Sequence, residues 1–342
     1  MAHTSRLCCP IPRRDAPNFS KLGMKLASHG ATMRVFSLMI KKAPRENRAA
    51  RYLVSGPPLL FLMVFFVAPS LIMILSSFRF PGEFGGLAPI AAPAGKISGE
   101  YGFTPEAYQF FFSDALYAKI FLKSFGVALA TTVICLIMAY PLALLIARSE
   151  KRFRNLMVLL VVLPFASNFL IRIYAWMIIL GPESAFSHFV NAILGAFGIA
   201  PVTLLFSPFA VLVGMVYVHL PFMILPLYTN LEKHDPSLLD AAQDLGATAW
   251  QRFWRVTWPL SLPGVFSGSA LVFIPVLGMF AVPDILGGTG DILIGNLIKD
   301  QFLGTRDWPF GSALSIMLTL AVLSVAGLAT WFARAAAAGE RA

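Results

Sequence analysis

The chain has 342 residues, of which 57% are hydrophobic and only 13% are charged, whereas an ordinary soluble domain is roughly 25% charged. With a mean hydropathy of +0.73, this composition excludes a disordered chain and leaves too little polar surface to cover a soluble globule. The formal net charge of +10 is concentrated in a few segments, so it does not favour nucleic-acid binding.

Residues 1–51 form a basic lead with eleven Lys and Arg residues. No apolar stretch precedes a small-residue cleavage site, so a signal peptide is not indicated. An organelle transit peptide agrees with the composition, but we favour a disordered cytosolic lead, or a true start at Met24 or Met33. Cys8 and Cys9 have no third ligand nearby, and the sequence predicts no metal site.

Six apolar stretches follow, each long enough for a helix that spans a bilayer, which needs about 20 mostly apolar residues. Their runs are continuous rather than alternating, which favours helices. The sequence therefore predicts an all-α integral membrane protein with six transmembrane helices in a domain over residues 52–334. The predicted spans are Leu53–Phe78, Leu122–Ile146, Leu156–Leu180, Val202–Leu227, Leu262–Pro283 and Phe310–Phe332.

The distribution of Lys and Arg predicts the orientation of these spans. Twenty of the 27 basic residues fall in the lead, in the loops after the second and fourth spans, and in the tail. Five fall in the loops of the opposite side. Because basic residues accumulate on the cytosolic side of a membrane, both termini are expected to be cytosolic.

The cytosolic loop over residues 229–261 is the most informative segment. Asp235 is a suitable helix N-cap, and Pro236 is tolerated at the first helical position. Gly246 predicts the end of this helix, because a left-handed residue is least strained when it is glycine. The face of the helix holds four apolar residues, which are Leu238, Ala241, Ala242 and Leu245.

A second short helix is predicted after Gly246, with Thr248 as its cap and Pro259 as its end. One side of it carries Trp250, Phe253, Trp254 and Thr257. Two such helices with a glycine bend can be a simple connection. They can equally be a docking element whose apolar face enters the groove of a partner protein, and the residues alone leave both interpretations open.

The spacing in this loop resembles the EAA loop of permease subunits in binding-protein-dependent ABC importers. That motif is Glu-Ala-Ala, three residues, Gly, nine residues, an aliphatic residue, one residue and Leu-Pro. Here Asp240-Ala241-Ala242, Gly246 and Val256-Thr257-Trp258-Pro259 stand at the same spacing. Asp240 replaces Glu and keeps its charge, and Trp258 replaces Leu.

Other segments are similar to the spermidine/putrescine permease subunits of that family, and the resemblance covers roughly residues 50–332. The third span shows it most closely. The matching residues are Phe103-Thr104, Tyr108, Tyr117, Tyr140-Pro141-Leu142-Ala143, Leu163-Pro164, Leu170, Arg172, Tyr174-Ala175-Trp176-Met177, Pro283-Asp284, Leu286-Gly287-Gly288, Ile294-Gly295, Gln301-Phe302 and Arg306-Asp307-Trp308-Pro309.

The resemblance implies the type I importer permease fold in a bacterial inner membrane. It also implies a second permease subunit, two ATP-binding cassette subunits and a periplasmic solute-binding protein as partners. The loop would dock on the ATPase through Asp240, Ala241, Ala242, Leu245, Gly246 and Pro259. The sequence contains no G-x-x-x-x-G-K-[ST] loop, so ATP is expected to bind the partner subunit and this chain is not expected to be an enzyme or to carry a cofactor.

Four residues are candidates for the solute path. Arg172 lies in the third span, toward its outer end, and is either functional or paired with an acid of an outer loop. Tyr174 and Trp176 could stack on a cation, although an interfacial aromatic belt is the more ordinary interpretation. Asp284 could hold an ammonium group, stay solvated, or pair with Arg172 or Lys299.

The resemblance predicts a polyamine, putrescine or spermidine, as the solute. Similar polyamine permeases tend to carry an acid where this chain has Met279, which keeps other small solutes such as opines or phosphonates open. A stand-alone secondary transporter is a further alternative. It would need no docking element, and such proteins usually show more spans or an internal repeat.

Overall fold

The computed structural model describes residues 56–90 and 102–339, and for residues 328–339 it describes the backbone alone. The predicted basic lead over residues 1–51 lies outside the described residues, as does the predicted start of the first span at Leu53. The chain divides into two units, Met1–Pro69 and Ser70–Ala342. The core and the functional site described below lie within the second unit.

The described part of the chain is helical, and we label its helices α1 to α12. Its β-structure is limited to two isolated antiparallel bridges, which join Arg79 to Phe103 and Pro81 to Leu87. The helices are α1 (Gly56–Ser77), α2 (Glu106–Ser113), α3 (Ala115–Arg148), α4 (Lys151–Ala166), α5 (Phe169–Leu180), α6 (Ala185–Ala196), α7 (Pro208–Leu231), α8 (Ser237–Asp244), α9 (Ala249–Gly278), α10 (Ala281–Leu286), α11 (Ile294–Leu303) and α12 (Trp308–Gly339).

Among the described residues, five helices are long and apolar enough to cross a membrane, namely α1, α3, α7, α9 and α12. They confirm five of the predicted spans, with shifted ends. The pair α4 and α5 together passes the same test, but the two helices meet at an angle of 91°. The all-α prediction is confirmed, and the predicted third span is a sharply bent helix pair, which forms either a broken span or a re-entrant loop.

The prediction of one continuous third span is therefore wrong. The last turn of α4 is a 3₁₀ turn that contains Pro164, whose ring removes a backbone donor and restricts the residue before it. Ser167 is then extended, and the Asn168 side chain accepts a hydrogen bond from the Leu170 N–H at 2.8 Å. That bond caps a new helix in a new direction.

The predicted end of the second loop helix at Pro259 is also wrong, and so is the predicted start of the fifth span at Leu262. The helix α9 begins at Ala249 and continues through Pro259 to Gly278. A π-helical turn over Phe253–Thr257 precedes Pro259, which lies in the first turn of the following α-helical part. The missing N–H of proline matters little there.

The main core lies where α3, α7 and α9 pack against one another. Small residues line these contacts and let the helix backbones approach closely, which is how helices associate in lipid. A Cβ atom on Gly264 would lie 2.8 Å from the Asn230 Cβ, and one on Gly268 would lie 2.8 Å from the Met223 Sδ. Other small residues of the core are Ala128, Cys135, Ala139, Ala143 and Ser261.

Candidate functional site

The loop after α7 turns the chain back toward the membrane and begins α8. The Asp235 Oδ1 atom accepts a hydrogen bond from the Ser237 N–H at 2.9 Å, which satisfies one of the free donors at the start of a helix. This hydrogen bond holds the pKa of Asp235 below its usual value. The predicted positions are wrong by one residue, because Pro236 is the N-cap and α8 begins at Ser237; the Asp235 side chain still accepts from the start of the helix.

Gly246 makes the bend between the two loop helices. Its φ of +81° lies in the left-handed region, which glycine adopts without strain. The Gly246 N–H donates to the Gln243 carbonyl at 2.8 Å, and the Ala247 N–H donates to the Ala242 carbonyl at 3.0 Å. A Cβ atom on Gly246 would meet no atom within 4 Å, so glycine is needed for the backbone conformation and not for space.

The start of α9 is fixed by a reciprocal cap. The Thr248 hydroxyl accepts from the Gln251 N–H, and the Gln251 side chain accepts from the Thr248 N–H at 2.9 Å. Arg252 then donates to the Gln243 side-chain oxygen at 2.6 Å and joins the two helices across the bend. We call residues 237–252, comprising α8, the bend and the first turn of α9, the knuckle.

The knuckle presents apolar side chains to its surroundings. Leu245 is 89% exposed and Trp250 is 70% exposed, and Asp240 and Ala241 are exposed as well, while Ala242 is half-buried. An exposed leucine and tryptophan on a rigid, capped bend form the type of surface that binds a partner protein. All of the predicted docking residues except Pro259 lie on it.

Two polar contacts tie residues 232–234, the segment that leads into the knuckle, to the membrane helices. Glu232, at the end of α7, forms an ion pair with Arg154 of α4 at 2.6 Å, and Arg154 also donates to the Ala147 carbonyl of α3 at 3.1 Å. The His234 ring nitrogen Nε2 lies 3.1 Å from the Leu260 carbonyl of α9. These contacts surround a cleft of about 490 Å³ between α3, α7, α8 and α9, so the segment that leads into the knuckle is joined directly to α4 and α9.

The Glu232→Gln variant should lower solute uptake by about twofold, because an exposed ion pair contributes modestly. Hydrogen bonds from Tyr228 and from Arg154 hold the pKa of Glu232 below its usual value. The contribution of a carboxylate with a lowered pKa is present at neutral pH and is lost only as the pH falls through that pKa. Uptake by the two proteins should therefore differ by a constant factor around neutral pH and converge at acidic pH.

The matched control for this prediction is Glu150→Gln. Glu150 is exposed in the neighbouring cytosolic turn before α4, and the same change is made there without loss of the Arg154 contact. Equal uptake by the two variants would show that the Glu232 tether does not contribute.

An aromatic cluster joins the first turns of α9 to the end of α3. Of the four residues predicted on one side, Trp250, Phe253 and Trp254 pack on one another, with the two tryptophan ring centroids 5.6 Å apart, and Thr257 is buried. Tyr140 of α3 packs against Trp258 at 5.4 Å, and its hydroxyl lies 3.0 Å from the Ser261 hydroxyl. No packing role for Tyr140 could be predicted, because residues on separate spans cannot be paired from hydropathy.

Arg172 lies at the break in the third span, in the first turn of α5. Its guanidinium stacks over the Phe165 ring, 4.9 Å from the centroid, and its Nε and Nη1 atoms are buried without a hydrogen-bond partner. The alternative that Arg172 pairs with an acid of an outer loop is not found among the described residues. Its position at the break differs from the expected one near the end of a continuous helix.

The other three path candidates lie in different surroundings. Tyr174 is half-exposed, and Trp176 packs edge to face against Tyr217 at 5.5 Å. Asp284, on α10, forms an ion pair with Lys299 at 2.8 Å, which is one of the two pairings the sequence left open. Within the described residues, the structure brings Arg172 and Asp284 into no common ion pair or hydrogen bond.

Two neighbours of the Asp284–Lys299 pair, Asp300 and Asn296, were not predicted from the sequence. Lys299 also contacts Asp300, with Nζ and Oδ1 3.0 Å apart, and the hydrogen bonds that Lys299 donates to Asp284 and to Asp300 raise its pKa. Asn296 donates through Nδ2 to the other oxygen of Asp284 and to the Phe280 carbonyl. No spacing rule links these positions, because α10 and α11 meet through a loop with an irregular path.

Spanning helices around a core of small residues, with a capped knuckle exposed at the end assigned to the cytosol, define the permease class of membrane transporter. A family model described as the binding-protein-dependent transport system inner membrane component matches residues 139–339. This match covers more than half of the chain. The chain therefore belongs to that family of inner membrane components.

Individual relatives agree with the family. The chain is 47% identical over 219 residues to the spermidine/putrescine transport system permease protein PotB of Haemophilus influenzae, a match that covers 64% of this chain and 75% of that protein. It is 44% identical to PotB of Escherichia coli over 64% of this chain and 78% of that protein. The inner membrane ABC transporter permease protein YdcU of Escherichia coli is 33% identical over 60% of this chain and 68% of that protein.

Solved structures show the same fold. A chain of a bacterial alginate ABC transporter, crystallised in complex with an alginate-bound periplasmic protein, superimposes with a TM-score of 0.60 over 83% of this chain and 94% of that chain. The sequence identity is 17%, so the likeness concerns the fold. The predicted ABC importer permease fold is confirmed.

Proposed function

We propose that this chain is the permease subunit of an ABC importer that moves a polyamine, putrescine or spermidine, into the cytoplasm. The supporting observation is the 47% identity to a spermidine/putrescine permease over three quarters of its length. The molybdenum transport permease ModB of Mycobacterium bovis is less similar, at 32% identity. Opines and phosphonates are less favoured, and a stand-alone secondary transporter does not agree with the family.

In this proposal, ATP hydrolysis takes place on two separate ATP-binding cassette subunits, a second permease completes the membrane part, and a periplasmic protein delivers the solute. The family description names a binding protein. The 342-residue sequence has no G-x-x-x-x-G-K-[ST] loop, which supports a division of labour in which this chain forms the path.

The knuckle is proposed to dock on one ATPase subunit. Asp240 supplies a charge on its exposed face, Ala241 and Ala242 allow close approach, and Leu245 enters an apolar groove. Gly246 holds the bend, and Pro259 lies in the α9 turn that joins the knuckle to the membrane. Closure of the ATPase dimer would move the knuckle, and the Arg154–Glu232 and His234–Leu260 contacts would pass the movement to α3, α4, α7 and α9.

The solute path is proposed to begin near Asp284, at the outer end of the domain. Tyr174 and Trp176 are candidates for contact with a cation along α5. Arg172 carries the same charge as a polyamine, so we assign it no direct contact with the solute. Its unpartnered N–H groups instead suit an acceptor on another subunit or a backbone carbonyl that is exposed during alternating access.

Uptake of labelled putrescine and spermidine tests the proposal, in cells with the complete operon and in cells that lack only this gene. Saturable uptake should be lost in the deletion strain and restored by the gene on a plasmid. Uptake of an unrelated amino acid serves as the control for energised membranes. Polyamine uptake that does not depend on this gene would refute the polyamine assignment.

A further inference from the structure

Lys299 occupies a small anionic site at the outer end of the domain. Its ammonium nitrogen lies 2.8 Å from the Asp284 Oδ2 atom and 3.0 Å from the Asp300 Oδ1 atom. The side chains of Lys299, Asp284 and Asp300 are 26%, 32% and 53% exposed. The group is therefore ordered by the protein and still accessible to a molecule that arrives from outside.

Asn296 adds an observation that is independent of the carboxylates. It is only 6% exposed, and its Nδ2 donates both to the Phe280 carbonyl and to Asp284. These two acceptors fix the orientation of the amide. The Oδ1 atom is consequently left buried with no partner, and a buried acceptor without a donor is unfavourable. The amide that is bound to Asp284 therefore lacks one N–H donor of its own.

The chemistry of Lys299 indicates which ligand would supply this donor. A lysine side chain is four methylenes with a terminal ammonium, and putrescine is four methylenes with an ammonium at each end. An ammonium group has three N–H donors. Lys299 directs its donors to Asp284 and Asp300, and a free ammonium that is not tethered to α11 could also reach Asn296.

We propose that Asp284, Asp300 and Asn296 form a binding site for the primary ammonium group of the transported polyamine, which Lys299 occupies until the solute displaces it. This inference rests on the proposed function. The exchange replaces one ammonium by another, so the two carboxylates are never left without a cation. Asp284 lies on α10, which packs against α5 and α7, and occupation of the site is therefore coupled to the helices of the core.

Equilibrium binding of labelled spermidine tests the site. The whole complex of both permeases and both ATPases is used in nanodiscs, without the binding protein. Lys299→Met removes the tethered competitor and should tighten binding by about tenfold, the value of one charge-assisted hydrogen bond. The double variant Lys299→Met/Asp284→Asn should lose this gain. Asp300→Asn, a half-exposed position that is not expected to affect folding, should weaken binding relative to wild type.

Lys123→Met is the matched control. Lys123 is also an outer lysine paired with a carboxylate, Asp291, at 3.0 Å, and its side chain is 40% exposed. Its other acceptor is the Gly290 carbonyl rather than a second carboxylate. Lys123→Met should bind spermidine as the wild type does. In competition experiments, n-butylammonium should displace spermidine, and tetramethylammonium should not, because it has no N–H to donate.

Any of three results would overturn the inference. The first is unchanged spermidine binding by Lys299→Met. The second is a gain in binding that survives in the double variant, and the third is an equal gain in Lys123→Met. Failure of the proposed function is a separate result, because it is measured as polyamine uptake by the wild-type system with its binding protein. Normal uptake together with unchanged binding by Lys299→Met would reject the ammonium site and leave the importer assignment in place.

Discussion

Gly246→Asp is expected to lower polyamine uptake by at least about tenfold while the amount of protein in the membrane stays at the wild-type level. The change places a side chain at a left-handed position, where a residue other than glycine is strained by roughly 1–2 kcal/mol. It also adds a carboxylate to the exposed surface that already carries Asp240 and Asp244. Because a Cβ atom at Gly246 meets nothing within 4 Å, the fold itself should tolerate the substitution.

The measurement is uptake of labelled spermidine, together with immunoblots of membranes and recovery of the ATPase with the tagged permease. Gly246→Asn separates charge from shape, because Asn has the size of Asp and tolerates the left-handed conformation. Gly198→Asp is the positional control. Gly198 has a φ of +74° and open space around it, but it lies in an outer loop, and this variant should transport normally.

Normal uptake by Gly246→Asp would reject the docking role of the knuckle. Loss of uptake in both the Asp and Asn variants would assign the effect to the shape of the bend. Loss in the Asp variant alone would assign it to charge repulsion on the docking surface. In either case the ATPase should no longer be recovered with the permease.

The features that the sequence could predict are those with local causes. A continuous apolar run is sufficient for a spanning helix, and Asp235, Gly246 and Thr248 each act through hydrogen bonds within a few residues of themselves. The knuckle could therefore be described in some detail before its surroundings were known. Because the EAA motif is defined by the spacing of residues within one loop, the resemblance can be seen from the sequence alone.

The break at Ser167 and Asn168 has a local signal too, but the apolar run hides it. Hydropathy averaged over a span treats these two polar residues and Pro164 as tolerable interruptions, and it contains no information on helix direction. Pro259 shows the opposite difficulty. The sequence predicts a stop there, whereas a π-helical turn precedes Pro259 and the helix continues. Phe253 of that turn packs against Tyr140 of α3, a contact between distant segments.

Contacts between distant segments could not be predicted. Arg154 and Glu232 are 78 residues apart, and their ion pair depends on the rotation of α4 and α7 about their axes. The sequence allows Asp284 to pair with Arg172 or with Lys299, and the arrangement of α10 and α11 pairs it with Lys299. Gly264 and Gly268 do have a sequence signal, since small residues four apart in an apolar helix indicate a helix contact.

The close contact between α7 and α9 at Gly268 is expected to determine how much of the membrane domain folds. Gly268→Leu is expected to lower the amount of folded permease in the membrane by about tenfold, since overpacking in a tight core is destabilising. A Cβ atom at Gly268 would lie 2.8 Å from the Met223 Sδ and 3.3 Å from the Met223 carbonyl oxygen. The sulfur can move, but the carbonyl belongs to the backbone of α7, so a leucine must separate α7 from α9.

A graded series distinguishes this packing effect from a general intolerance of the span. Gly268→Ala should be intermediate, because its Cβ displaces the flexible Met223 Sδ and tightens the contact with the Met223 carbonyl, but it adds none of the further atoms of leucine. Gly126→Leu makes the same change as Gly268→Leu on α3, where a Cβ atom meets nothing within 4 Å, and it should leave the protein at the wild-type level. Immunoblots and protease resistance of the membrane fraction measure the outcome. Equal loss in Gly126→Leu and Gly268→Leu would mean that the α7–α9 contact is not the cause, whereas loss confined to position 268 would identify that contact as the one on which the domain depends.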